Sequence, residues 1–183
     1  AQQVVVVDNA SSDSSVLNLE SEFSLENRLC IIRSESNIGF AAGCNKGLNA
    51  ATQPYILFLN PDCMLQSGTL KHLVQVLASD SNIGMVGGYL TNPDGSEQGG
   101  GRRAIPSPWR AFVRAFGLYH LEKYWPKIFF DFHLHKQPLP QESIEVEAIS
   151  GALMLVRREA IEDVGVWDEG YFLHCEDLDW CMR

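Results

Sequence analysis

Three short acidic loops hold the side chains of this chain that could do chemistry. Asp8 ends the apolar run Val4-Val5-Val6-Val7. Asp62, in Asn60-Pro61-Asp62, follows the apolar run Tyr55-Ile56-Leu57-Phe58-Leu59. Glu176-Asp177 lies near the end of the sequence. A buried strand that ends in an acidic turn puts a carboxylate at the mouth of an α/β sheet, where open α/β folds bind their ligands. Carboxylates in such places hold a hard divalent cation, accept hydrogen bonds from a nucleotide, or remove a proton as a general base. One loop for each task describes an enzyme that handles a nucleotide-activated substrate.

The elements that must position these loops follow from periodicity. Val4–Val7 reads as a first strand buried on both faces, with residues 8–13 as its loop, and Cys30-Ile31-Ile32 as a short second strand. Tyr55–Leu59 is the third, Met85-Val86-Gly87-Gly88 the fourth, and Ala152–Val156 a last buried strand. Ala41–Ala51 reads as a helix, with Gly39, Gly43 and Gly47 offering a small face for close packing. Leu70, Leu73, Val74 and Leu77 recur at helical spacing behind Ser67 as N-cap, and Arg158–Val164 is a short helix. Strands alternating with helices predict an α/β domain, a mostly parallel sheet flanked by helices. No internal repeat is visible.

Composition bounds the rest. The 183 residues, 45% of them apolar, suit one domain over 1–183. A formal charge of −9 disfavours nonspecific nucleic-acid binding as the main activity, since phosphate neutralisation needs clustered cations. Cys30, Cys44, Cys63, Cys175 and Cys181 form an odd set without Cys-x-x-Cys spacing, which argues for a reducing cytoplasm over a disulfide framework or a zinc site. No apolar run approaches the roughly 20 residues that span a bilayer. A strand begins after three residues, and Leu178–Arg183 stops inside a patterned segment. The chain therefore reads as an internal piece of a longer polypeptide.

Residues 99–140 break the rhythm. This insert is rich in Trp, Phe, Tyr, Arg, Lys and Pro, and from Gly101 to Lys136 it carries a net charge of +5. Such a segment on an acidic domain is either a contact surface, for instance for the anionic face of a membrane, or a subdomain whose aromatics pack on the core.

Four motifs in one order carry a family resemblance: Val6-Val7-Asp8-Asn9-Ala10-Ser11, Asn37-Ile38-Gly39-Phe40-Ala41, Leu59-Asn60-Pro61-Asp62 and Glu176-Asp177-Leu178-Asp179, with Gly151-Ala152-Leu153-Met154 ahead of the last. Together they resemble the family 2 glycosyltransferases of GT-A fold, particularly the rhamnosyltransferase-like bacterial members. The resemblance spans nearly the whole chain. It implies transfer of a sugar from a nucleoside diphosphate donor, with dTDP-rhamnose the family-level choice and uridine the other base, to a saccharide or lipid-linked acceptor with inversion. It also implies that the family's opening strand precedes Val4 and is missing here, and that the work is done in the cytoplasm at the inner face of a membrane.

Roles carry over residue by residue. The resemblance puts Asp8 and Asn9 on the base or ribose of the donor, although Asp8 before Ser11 and Ser12 could equally cap a turn. Asn37 and Gly39 match the family's Asn-x-Gly loop near the nucleotide. Asn45 matches a polar position facing it, with a solvated helix side chain as the alternative. Asn60-Pro61-Asp62 stands where many members have Asp-x-Asp, so Asp62 is expected to coordinate Mg²⁺ or Mn²⁺ and Asn60 to help with a carbonyl oxygen or orient the ribose. Asp177 matches the general base, with Glu176 second. Asp179 and Arg183 are structural or touch the diphosphate, His174 supports the loop, and Trp167 either shapes the acceptor pocket or belongs to the core.

Rival classes are a sugar-nucleotide-binding module without catalysis, which the single carboxylate in Asn60-Pro61-Asp62 favours, and a nucleotidyltransferase. The second is disfavoured because Gly99-Gly100-Gly101-Arg102-Arg103 follows no buried strand near the start. A dehydrogenase ranks below both, because no Gly-x-Gly-x-x-Gly opens a helix after a strand.

Overall fold

Strands β1 (Val4–Asp8) and β2 (Leu29–Arg33) pair in parallel, from Val4 opposite Leu29 to Asp8 opposite Arg33, with helix α1 (Ser15–Glu22) as the crossover. The computed structural model describes residues 1–125, 128–129, 134 and 138–183. A second crossover runs from β3 (Tyr55–Leu59) through α3 (Thr69–Ser79) to β4 (Met85–Gly87). Between β3 and β4 lies β7 (Leu153–Arg157), antiparallel to both. The GT-A α/β expectation holds, but the strands do not make one mostly parallel sheet. Among the described residues β1 and β2 form a separate parallel pair, and β3, β7 and β4 form a second sheet in which β7 is antiparallel to both neighbours.

The reason is topological. The chain leaves β4 at the end where β7 begins, with Gly87 opposite Met154 and Leu59 opposite Leu153. It builds β5 (Arg102–Arg103), α4 (Pro108–Ala115), a 3₁₀ turn (Leu118–Leu121) and β6 (Ala148–Ile149) before returning. An excursion that starts and finishes at one end of a sheet must re-enter antiparallel.

β7 forms the centre of the core, and its period of two divides the side chains between two layers. Met154 and Val156 pack with Ile56 and Phe58 of β3, with Ala41 and Leu48 of α2 (Phe40–Ala50), and with Trp167 and Trp180. Leu153 and Leu155 pack on the opposite side with Leu73 and Leu77 of α3 and with Leu90. α5 (Arg158–Val164) contributes Ile161 to the first layer, and α6 (Glu176–Met182) contributes Trp180. The two tryptophan rings lie 4.4 Å apart, and Phe58 meets both edge-on.

Two local expectations change. β1 is only half buried, because it has β2 along one edge and α2 against one face. α3 starts from Gly68 and not Ser67. Gly68 has φ +87° and makes no side-chain cap, and glycine takes that left-handed turn without a Cβ clash. The small face of α2 packs as expected: a Cβ on Gly47 would sit 3.3 Å from Val7 Cγ2.

The basic insert is less basic than it reads. Arg102 forks onto Glu97 through Nε–Oε1 at 2.6 Å and Nη2–Oε2 at 3.0 Å. Arg103 pairs with Asp177, and Arg110 pairs with Glu147 at 2.7 Å. Lys127, Asp131 and Lys136 lie outside the described residues. Helix α4 begins at Pro108, with the Ser107 hydroxyl accepting from the Arg110 N–H at 3.2 Å. Its apolar stripe is Trp109, Phe112, Val113 and Phe116. Val113 is 1% exposed, whereas the three aromatic residues are 50%, 45% and 68% exposed. Most of that stripe therefore faces outward, not onto the core.

Candidate functional site

The four motif segments meet through a continuous set of hydrogen bonds. At the end of β1, Asn9 clasps the loop before α2. Its Nδ2 donates to Asn37 Oδ1 at 2.9 Å and to the Gly39 carbonyl at 3.1 Å, while its Oδ1 accepts from the Ile38 N–H at 2.9 Å. Asn37 Oδ1 also accepts from the Gly39 N–H at 3.0 Å. Asp8 caps its own turn, accepting from the Ser11 N–H at 2.9 Å. The Ser11 hydroxyl, followed by that N–H, holds the Asp8 carboxyl below the usual carboxylate range, so it stands ionised at neutral pH. Asn9, Asn37 and Gly39 thus form one hydrogen-bonded cluster, with Asp8 next to Asn9 in the chain.

Gly39 joins this cluster to the loop before α6. Its φ is +87°, and a Cβ there would lie 2.7 Å from the Phe172 carbonyl oxygen, which accepts from the Phe40 N–H at 2.9 Å. Beyond Phe172 the chain passes through His174 and Cys175, both with positive φ (71° and 69°), and enters α6 at Glu176. Strain of this kind, on the order of 1–2 kcal/mol per non-glycine residue, is held where the surrounding structure fixes the backbone.

Glu176 and Asp177 are 7% and 8% exposed. Asp177 Oδ2 accepts from the Gly151 N–H at 3.0 Å and from Arg103 Nη2, and Oδ1 accepts from the Leu178 N–H at 2.8 Å. Glu176 Oε2 has no partner among the described residues. The turn at Ser150–Ala152 then links this end to the strand β3 loop, because the Asn60 N–H donates to the Ala152 carbonyl at 3.0 Å. Asn60 and Asp177 are therefore tied to adjacent residues of a single turn. Asp62 lies two residues beyond Asn60, exposed, and its carboxylate accepts no hydrogen bond among the described residues.

That donor set fits a hard divalent cation in one particular way. Among the described residues no three His, Cys, Asp or Glu side chains gather as a metal cage. Mg²⁺ and Mn²⁺ do not need one, since they bind through one or two carboxylates plus substrate phosphates and water. A free carboxylate at a strand end, with Asn60 beside it, meets that requirement.

Other expectations change at this level. Asn45 is buried, and its amide is engaged by protein: Nδ2 donates to the Trp167 carbonyl at 2.9 Å and to Glu169 Oε1 at 2.8 Å, and Oδ1 accepts from the Trp167 N–H at 3.1 Å. It does not lie in solvent, and both ends of its amide are spent on protein. It fixes the loop that leads to the acidic pair. Trp167 is 1% exposed and belongs to the core. Asp179 pairs with Arg183 at 3.0 Å one helical turn on, the structural alternative. A depression of about 310 Å³ lined by Val4, Val6, Leu19, Phe23 and Leu29 shares no residue with this site.

Arg103 and Phe172 carried no signal of their own in the sequence. Arg103 reads as one charge in a basic segment, 74 residues before its partner. Phe172 acts through its backbone carbonyl, which residue identity does not disclose.

A family model described as glycosyl transferase family 2 matches residues 1–165. N-acetylglucosaminyl-diphospho-decaprenol L-rhamnosyltransferase of Mycobacterium tuberculosis is 25% identical over 187 residues, which cover 96% of this chain and 58% of that protein. Rhamnosyltransferase WbbL of Escherichia coli is 28% identical over 137 residues, covering 73% and 46%. The chain spans about half the length of the curated relatives it matches. Among solved structures, GalNAc-T7 with UDP, GalNAc and Mn²⁺ superposes with a TM-score of 0.65 at 16% identity, covering 98% of this chain and 34% of that one. The mannosyltransferase PcManGT from Pyrobaculum calidifontis, in complex with GDP-Man and Mn²⁺, gives 0.58 at 19% identity, covering 97% and 41%. At these identities the likeness is one of fold.

Proposed function

The chain belongs to glycosyl transferase family 2, and from that footing we propose that it forms the donor and acceptor site of an inverting glycosyltransferase. The donor is a nucleoside diphosphate sugar, with dTDP-rhamnose the first choice. The acceptor is a saccharide or a lipid-linked saccharide. Relatives whose names specify rhamnosyl transfer, one of them to a diphospho-decaprenol acceptor, support these choices.

The observation that carries the reading is the Ser150–Ala152 turn. It bonds Asn60 on one side and Asp177 on the other, which supports reading the two as the phosphate end and the acceptor end of one displacement site. Asp8, Asn9, Asn37 and Gly39 form the nucleotide-facing cluster. Asp62, aided by Asn60, would hold Mg²⁺ or Mn²⁺, and such an ion supplies charge neutralisation at the departing diphosphate. Asp177 takes the proton of the acceptor hydroxyl as general base, with Glu176 behind it in the same helical turn. The exposed aromatic stripe of α4 adds a peripheral contact with the inner face of a membrane, where a lipid-linked acceptor is presented. Among the described residues no helix is long and apolar enough to cross a membrane.

The test is calorimetric titration with UDP and dTDP, with and without Mn²⁺, on the wild type and Asp62→Ala, alongside a transfer assay on Asp177→Asn. Metal-dependent nucleotide binding lost in Asp62→Ala, and transfer lost in Asp177→Asn with nucleotide binding intact, support the transferase. A second reading, a non-catalytic sugar-nucleotide-binding module, is favoured by Asn60 in place of a first carboxylate. It requires nucleotide binding with neither transfer nor donor hydrolysis.

A further inference from the structure

Arg103 reaches the expected base from a distant part of the chain. It lies on β5, where it pairs with Ala148 of β6, and its Nη2 donates to both the Ile149 carbonyl, at 3.0 Å, and Asp177 Oδ2. The pair is largely shielded, with side-chain exposures of 22% and 12%. The Arg103 Nε–H is buried and has no hydrogen-bond partner among the described residues, so the guanidinium is not explained there as a fully satisfied structural bracket.

An ionised carboxylate offers about four lone-pair sites, two on each oxygen. At Asp177 three are taken by groups among the described residues. Oδ2 receives Arg103 and the Gly151 N–H, and Oδ1 receives the Leu178 N–H. The remaining site is on Oδ1. We infer that Arg103 is a positioning residue for the base: with Gly151 it holds Oδ2 against the protein and leaves Oδ1 as the atom that accepts the proton of the incoming hydroxyl. The hydroxyl O–H bond breaks, its electron pair forms the new bond to the anomeric carbon, the proton passes to Oδ1, and the nucleoside diphosphate leaves with the pair of the old bond. This inference rests on the reading of Asp177 as base.

The experiment uses the full polypeptide that carries this chain, with dTDP-rhamnose and a polyprenyl-diphospho-N-acetylglucosamine acceptor as probes. Arg103→Ala is expected to lower kcat by about a hundredfold, the scale of a misplaced catalytic group, with the acceptor KM and the dTDP dissociation constant changed little. Guanidinium ion at millimolar concentration is expected to restore part of the rate, and Arg103→Lys to lie between the two. In an Asp177→Asn background, Arg103→Ala is expected to add no further loss, because the arginine acts only through that carboxylate. An unchanged kcat in Arg103→Ala overturns the inference. So does a loss that guanidinium does not relieve and that is matched by lost dTDP binding, the mark of a merely structural residue. If Asp177→Asn itself keeps full transfer, the reading of the base is wrong and this inference falls with it.

Discussion

Asn45 of α2 brackets the backbone of Trp167, accepting from its N–H at 3.1 Å and donating to its carbonyl at 2.9 Å across 122 residues of sequence. Both backbone groups of a buried tryptophan are satisfied by one side chain, and the loop toward the acidic pair is fixed as a result. Asn45→Ala leaves two buried backbone groups unpaired, each worth about 1–3 kcal/mol. A destabilisation of roughly 3 kcal/mol is expected in denaturant titration. Asn45→Asp is expected to be no better, since it removes the donor and sets a second carboxylate against Glu169.

Gly39→Ala tests the junction between the two halves of the site. The new Cβ would be strained by the positive φ and would meet the Phe172 carbonyl oxygen at 2.7 Å. That oxygen is backbone and is already bonded to the Phe40 N–H, so it has little room to retreat. The expected cost is about 2–3 kcal/mol of stability, read as a lower Tm, together with weaker nucleotide binding.

Cys44 gives a prediction in pH. Burial, reinforced by the negative charge of Glu176, pushes its thiol up to about 12 from an ordinary 9.0. The protonated form is therefore the one that folding favours. Its stabilising contribution is complete below about pH 9 and is lost as pH rises from 9 toward 12. Iodoacetamide at about pH 9 is expected to modify the exposed Cys30 and Cys175 and to spare Cys44 until the protein unfolds, as read by mass spectrometry of tryptic peptides.

The α4 stripe predicts association with vesicles. Replacing Trp109, Phe112 and Phe116 together with Ala is expected to weaken partitioning onto anionic phosphatidylglycerol vesicles by at least about tenfold in a flotation assay, because the aromatic area provides most of the attraction. Three arginines of the insert, Arg102, Arg103 and Arg110, are poorly placed to replace it, since they already pair with acids. Equal partitioning of the triple variant would assign the stripe another role.

Locally driven features were legible in the sequence. The runs Tyr55–Leu59 and Leu153–Val156 are apolar without interruption and form strands of the core, and Asp8, the last residue of β1, and Asp62, past the end of β3, emerge at strand ends. The α2 and α5 boundaries came within one residue for the same reason, since periodicity acts over a few neighbours. The direction of β7 was not legible. It depends on which end of the sheet the chain returns to after 65 residues between β4 and β7, and no residue type encodes that.

The site divides in the same way. The sequence alone nominated the side chains proposed for the site, by type and by motif: Asp8, Asn9, Asn37, Gly39, Asn60, Asp62, Glu176 and Asp177. Only the tertiary structure decided how they are held. It turned Asn45 inward to Trp167, placed Trp167 in the core, and delivered Arg103 to Asp177 on a two-residue strand. It also made a backbone carbonyl at Phe172 the link to Gly39. Side-chain chemistry belongs to the residue and can be read from it. Hydrogen bonds between groups far apart along the chain arise only when folding removes water and sets their geometry, and there the sequence falls silent.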